Sequence, residues 1–245
     1  MSVAPAHSVM NSPLPGLPLE PPVRTFTLEE YHELYETGIL VERGLELING
    51  VVHLKASERL RRFSLDEYHR MLDVGILREG EAIELVDGAL RHKMTKGTRH
   101  DAVVDAIAEL LRPIASGWRV RVQSAISAAE QEPEPDIVIA RGPVTRYLDH
   151  HPRPHEIALI VEVADTSVNY DRGRRKRAYA NVGIVEYWVA SIPERVIDVY
   201  ADPTGATADP DYRIVRRYAV GESVPVMIES REVGVLLVDD ALPLA

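Results

Sequence analysis

Asp136 and Glu162 lie in separate short apolar stretches, EPEPDIVIA and EIALIVEVA, 26 positions apart. Each stretch has the length and composition of a buried strand. An ionised carboxylate in such a strand is costly unless it is paired or bound to a metal. Two strands that each deliver one carboxylate suit magnesium, which takes oxygen ligands and retains several waters. An ion held that way can drive phosphodiester cleavage. A strongly basic segment follows, RGRRKR from Arg172 to Arg177, broken only by Gly173. Each feature has a plainer reading: Asp136 capping a turn, Glu162 paired with a structural arginine, the basic run as a solvated helix face. Acid, acid and base in sequence favour the metal site.

The elements that must position these groups follow from periodicity. A helix is predicted over about 98–115, where Val103, Ala106, Ile107, Leu110, Leu111 and Ile114 recur at helical spacing. Strands are expected near 118–127, 135–140 and 157–163, then a helix over about 171–182 ended by Gly183. Further strands are expected near 185–190, 195–200, 211–218, 223–228 and 233–238. This interleaving predicts an α/β (mixed α+β) fold with helices against a mixed sheet. Asp136 opens its strand and Glu162 lies near the end of its own. If the two strands are antiparallel neighbours, both carboxylates converge at one rim of the sheet.

Upstream, the sequence repeats itself. FTLEEYHELYETGILVERGLELINGVVHLK (26–55) returns as FSLDEYHRMLDVGILREGEAIELVDGALRHK (63–93) with one residue inserted. Each copy opens with a capping box, Thr27 with Glu30 and Ser64 with Glu67, a cap worth about 1 kcal/mol. Each helix stops at a glycine, Gly38 or Gly75. Each then enters a hairpin marked by Asn49-Gly50 or Asp87-Gly88. The expected division is a disordered proline-rich tail over 1–23, a helix–hairpin unit over 24–57, and a main domain over 60–245. The second copy runs directly into the main domain. The first is left without an obvious partner, which allows it to swap onto a neighbouring chain and build a homodimer.

Bulk composition narrows the class. With 45% hydrophobic and 27% charged residues, the 245-residue chain reads as globular. It contains no cysteine, which excludes disulfides and thiolate metal sites and fits a cytoplasmic location. No apolar run approaches a bilayer span and no secretory signal is visible, so no membrane association is expected. The net charge of −10 argues against non-specific coating of nucleic acid, whereas the local basic run at 172–177 still permits it.

The stretches PDIVIA and LIVEVADTSVNYDRGRRKRAYANVGIVEYWVA resemble the Uma family of restriction-endonuclease-like proteins, placed in the PD-(D/E)XK nuclease superfamily. IELVDGAL and the downstream His100 look like the same family's N-terminal signature, and the resemblance covers about residues 62–240. It implies a restriction-endonuclease-like αβββαβ core, in agreement with the element order above, with extra C-terminal strands. It also implies a Mg²⁺- or Mn²⁺-dependent endonuclease acting on nucleic acid, with DNA as the expected partner. Asp136 and Glu162 would be catalytic metal ligands, Glu84 a third acidic contributor, and His100 a residue near the site. For Glu84 an ordinary hairpin carboxylate, and for His100 a polar residue at a helix start, are the plainer readings.

The chain departs from the superfamily pattern where a lysine is expected two residues after the glutamate: Ala164 stands there. The resemblance implies that a lysine on the next helix, four residues before its tyrosine, takes that place. Counting back from Tyr179 reaches Arg175, with Lys176 adjacent. At about 100° per residue, Ala178, Tyr179 and Val182 define an inward face that includes Arg175, and Lys176 lies roughly 115° away. Arginine stabilises phosphate charge but cannot act as a base, whereas lysine can do both. Arg175 and Lys176 are therefore expected to share the cationic role. The lost lysine spacing also keeps open a catalytically inactive module that binds nucleic acid or protein.

Overall fold

The computed structural model describes residues 21–243 except 56, 58, 79, 94, 95 and 130. The expected tail lies outside the described residues up to position 20. Its last residues are placed: Val23 bridges to Arg91, and the Pro22 carbonyl accepts from the His92 amide at 2.8 Å.

Both repeated segments fold as a helix followed by a two-stranded hairpin. The first holds α1 (Leu28–Glu36), β1 (Leu45–Ile48) and β2 (Val51–Leu54); the second holds α2 (Leu65–Asp73), β3 (Ile83–Val86) and β4 (Ala89–His92). Both capping boxes form with both of their hydrogen bonds. The hairpin turns place Asn49-Gly50 and Asp87-Gly88 at positive φ, the tight-turn geometry that matches strand twist. A side chain at Gly50 or Gly88 would meet the Thr25 or Arg62 Cβ at 2.7 Å, so both turns require glycine for space as well as for φ.

The first segment does have a partner, and it is the second. Leu34, Ile39, Leu40 and Val52 share one core with Met71, Ile76, Leu77, Ile83, Leu85 and Leu90. Phe26 and Phe63 meet with ring centroids 5.8 Å apart, under Arg24 and Arg61 respectively. Neither unit alone has a core of sufficient size; face to face they make one.

The remainder is built on a six-stranded sheet of order β10-β9-β8-β7-β6-β5. Its strands are β5 (Trp118–Val122), β6 (Ile137–Arg141), β7 (Ile157–Ala164), β8 (Glu186–Ser191), β9 (Val196–Pro203) and β10 (Tyr212–Ala219). Only the β7–β8 pair is parallel. Helix α3 (Thr98–Ile114) precedes β5. A broken helix joins β7 to β8: α4 (Val168–Tyr170), a π-helical turn (Asp171–Arg175) and α5 (Lys176–Asn181). The order α3-β5-β6-β7-helix-β8 is the expected αβββαβ core in a mixed sheet, with β9, β10 and the hairpin β11 (Ser223–Ile228)–β12 (Arg231–Leu237) beyond it, then α6 (Val238–Ala241).

All eight residues of β7 are buried because both sheet faces are covered. Ile137, Ile139, Val161 and Val163 pack with α3 and the β11–β12 hairpin. Val138, Ala140, Ile160 and Ala164 pack with Tyr179, Ala180 and Tyr187 on the other side. Each fully buried aliphatic side chain contributes about 2 kcal/mol, so this strand is anchored along its length. Among the described residues no helix is long and apolar enough to cross a membrane.

Candidate functional site

The antiparallel pairing of β6 and β7 sets Ile137 opposite Val161. One step further along that register, Asp136 comes opposite Glu162, and residues so placed have neighbouring Cβ atoms. Both carboxylates line one pocket of about 310 Å³, together with Glu84, Lys96, His100, Tyr170, Asp171 and Arg175. The convergence expected from the two strands is thus present.

Asp136 is buried at the start of β6 and accepts three hydrogen bonds. Lys96 Nζ donates to Oδ1 at 2.8 Å, the Val163 amide donates to Oδ2 at 2.9 Å, and His100 Nε2 lies 3.1 Å from Oδ2. Burial pushes the Asp136 carboxyl up, but His100 and Lys96 outweigh it and hold the group down at about 2. Burial also opposes charge on His100, yet its bond to Asp136 raises it above the ordinary imidazole value. His100 is therefore part of the site, supplied by the first turn of α3.

Glu162 has different surroundings. Its Oε1 accepts from Arg175 NH1 and from the Tyr179 hydroxyl, each at 2.8 Å. Complete burial dominates, and despite Arg175 the carboxyl is pushed up to about 8, with the Asp136 and Asp171 charges adding to the rise. Asp171 is likewise raised by burial, to about 6, against the pull of Arg175 and its bond from Ser167. The site thus confines more acid than its resident cations neutralise.

Arg175 faces the sheet as helical phase predicts. Besides Glu162 it donates NH2 to Glu84 Oε1 at 2.9 Å and lies 3.8 Å from Asp171 Oδ1. It closes the π-helical turn, a local widening of the kind often found at functional sites. Glu84 reaches the pocket from β3, where it serves Arg175 as a charge partner. Lys176 is not brought there. It pairs with Asp211 Oδ1 at 2.6 Å over the Tyr200 ring, so the expected sharing of the cationic role is corrected: one residue further along the helix, Lys176 follows the opposite flank.

Among the pocket residues that the sequence did not single out are Lys96, Tyr170 and Asp171. Asp171 precedes Arg175 by four, a spacing that would have flagged it as a helical neighbour of a named site residue, whereas Lys96 lies just outside α3, before its N-cap Gly97.

The donor set is chemically suited to a hard divalent cation. Two carboxylates face one pocket, and the raised Glu162 and Asp171 show acid crowding that such a cation relieves. Among the described residues no three histidine or acidic groups are gathered into a ready-made cage. Such an ion would complete its shell with water, and Asp136 and Glu162 are the residues that could hold it.

Comparison with known proteins agrees with this architecture. No curated protein matches the chain. Among solved structures it is similar to one described as "a putative nuclease belonging to DUF820" from Anabaena variabilis, with a TM-score of 0.52 and 13% identity. The match covers 74% of this chain and 97% of that one, and at this identity it speaks to the fold alone. A family model named Uma2 and described as "Putative restriction endonuclease" matches residues 65–229, which include α2 and the β3–β4 hairpin, α3, the carboxylate strands and the broken helix. By that match the chain belongs to the Uma2 family.

Proposed function

We propose that this protein is a divalent-cation-dependent endonuclease that hydrolyses nucleic-acid phosphodiesters, with DNA as the favoured substrate. The observation that carries the reading is the placement of Asp136, immediately before β6, beside Glu162 on β7, both lining one pocket with Arg175. Magnesium or manganese, when bound, supplies positive charge against the phosphate and makes a bound water more acidic. Asp136 and Glu162 are the residues to hold it. Asp136 is ionised throughout the neutral range, whereas Glu162 must lose a proton to serve as a ligand. His100 and the Val163 amide fix the orientation of Asp136, and Tyr179 fixes that of Glu162. Glu84 and Asp171 keep Arg175 in place, and its fixed charge opposes the negative charge that builds on phosphorus oxygens in the transition state.

Calorimetric titration with Mg²⁺ and Mn²⁺ tests the site before any substrate is known. Wild type should bind, and Asp136→Asn and Glu162→Gln should each lose binding and cleavage of a plasmid or RNA substrate together. Metal binding that survives both substitutions would end this reading. Metal binding without any cleavage would favour a catalytically silent nucleic-acid-binding module, for which the alanine at position 164 is the specific motive.

A further inference from the structure

The pocket contains donors that its own acids do not use. Among the described residues Lys96 Nζ has one carboxylate partner, Asp136, and its side chain is one-third exposed, at 34%. An ammonium has three donor hydrogens. Arg175, by contrast, is at 13% exposure and is committed to Glu84, Glu162 and Asp171. Lys93, the other lysine on the pocket wall, is tied to Glu134 at 2.7 Å. Lys96 immediately precedes Gly97, the N-cap of the 17-residue helix α3, and no side chain among the described residues caps that end. The first amides of a helix and its dipole favour an anion there. A second, independent sign comes from Tyr170. It is 3% exposed, it lines the same pocket, and its hydroxyl has no hydrogen-bond partner among the described residues. A buried hydroxyl left unpaired is costly, and beside a functional pocket it calls for an acceptor that the protein itself does not supply.

We propose that Lys96, the uncapped start of α3 and the Tyr170 hydroxyl form the seat for the phosphate oxygens of the nucleic-acid substrate. This rests on the nuclease reading above and assigns to Lys96 the contact with the phosphodiester that Lys176, held by Asp211, does not make. Lys96 approaches the pocket from the start of α3, whereas Arg175 approaches from the broken helix. A phosphate between them is held by a partly exposed ammonium and faced by a buried guanidinium. Both Lys96 and Tyr170 act here as donors only, and no proton leaves either group.

The test is binding of a short DNA duplex in calcium over a series of salt concentrations, beside cleavage in magnesium. Lys96→Ala should weaken binding roughly tenfold and lower the slope of log affinity against log salt by about one. Lys96→Arg should restore the slope, because the charge is retained. Tyr170→Phe removes only an oxygen with no hydrogen-bond partner among the described residues; it should leave the thermal midpoint unchanged while binding or cleavage falls several-fold. Wild-type affinity and salt slope in Lys96→Ala, or wild-type binding and cleavage in Tyr170→Phe, overturns the assignment for that residue. If wild type cleaves, Asp136→Asn does not, and Lys96→Ala matches wild type, this proposal alone fails. A wild type that neither binds nor cleaves nucleic acid ends the nuclease reading and this proposal with it.

Discussion

The two repeated segments share a local fold and differ in what their acidic residues do. Glu46 and Glu84 occupy equivalent positions on β1 and β3, opposite His53 and Arg91 in the two hairpins. Glu84 is buried against Arg175, and its neighbour Asp87 accepts from Gln131 and Arg174 of the main body. Glu46 and Asn49, their counterparts, make no side-chain hydrogen bond or ion pair among the described residues. All of β3 is buried, whereas β1 is half-buried with Ile48 exposed. The same helix–hairpin pattern therefore yields a site residue only where the hairpin docks on the six-stranded sheet and its helices. Local sequence determines the unit; tertiary contact selects which carboxylate has chemistry to do.

That contrast predicts unequal consequences for equal substitutions. Glu84→Ala removes one of the carboxylates that compensate the buried Arg175 guanidinium, and breaking a buried pair in this way costs about 3 kcal/mol or more. Glu46→Ala should stay within about 0.5 kcal/mol of wild type, as surface changes do. Urea denaturation of both variants measures the difference directly, and cleavage should fall only for Glu84→Ala. Equal losses would show that the two hairpins carry the same load.

Where the segments meet, they should instead behave alike. Arg24 pairs with Glu30 of its own segment at 2.6 Å and reaches across to Glu81 at 3.3 Å. Arg61 pairs with Glu67 of its own segment at 2.5 Å and reaches back to Glu42 at 2.7 Å. Each also covers a phenylalanine of the shared core. Both arginines are largely buried while their partners are partly exposed, so the electrostatic gain is discounted and each Arg→Ala should cost about 1–2 kcal/mol. Thermal midpoints that drop for one variant alone would deny the reciprocal arrangement.

This arrangement was present in the sequence but not read from it. Arg24 and Arg61, like Phe26 and Phe63, stand 37 positions apart, the offset of the repeat itself. Residues that recur in register just ahead of each helix are those able to meet about a pseudo-twofold axis. Asp136 and Glu162 were legible because a carboxylate inside an apolar strand carries an energetic penalty that calls for an explanation. Arg175 was legible from helical phase, even though a π-helical turn precedes α5. Lys176 failed because its position depends on Asp211 and Tyr200, which no local pattern links to it. Lys96 and Tyr170 were missed for a related reason: one lies in a connection and the other in a three-residue helix, where periodicity carries no signal.

The segments and the site also differ in how they respond to pH. Burial raises Glu30 and Glu67, but Arg24 and Arg61 together with the capping amides outweigh it and leave both below the ordinary value. A carboxyl depressed in the folded state contributes stability above its unfolded value, and that contribution is lost as pH falls through the folded value. Glu162 has the opposite sign. Its folded value of about 8 lies above the unfolded one, so its contribution is complete in acid and disappears as pH rises through about 8. Glu30→Gln and Glu67→Gln should each flatten the acid limb of the stability profile by similar amounts, and Glu162→Gln should flatten the limb between about pH 4.5 and 8. No single carboxyl can contribute a slope above ~1.4 kcal/mol per pH unit. Denaturant midpoints across pH 3–9 separate the two limbs. An alkaline limb unchanged in Glu162→Gln would mean that Arg175 and Tyr179 hold that carboxylate ionised in the folded protein, leaving the pocket no acid crowding for a cation to relieve.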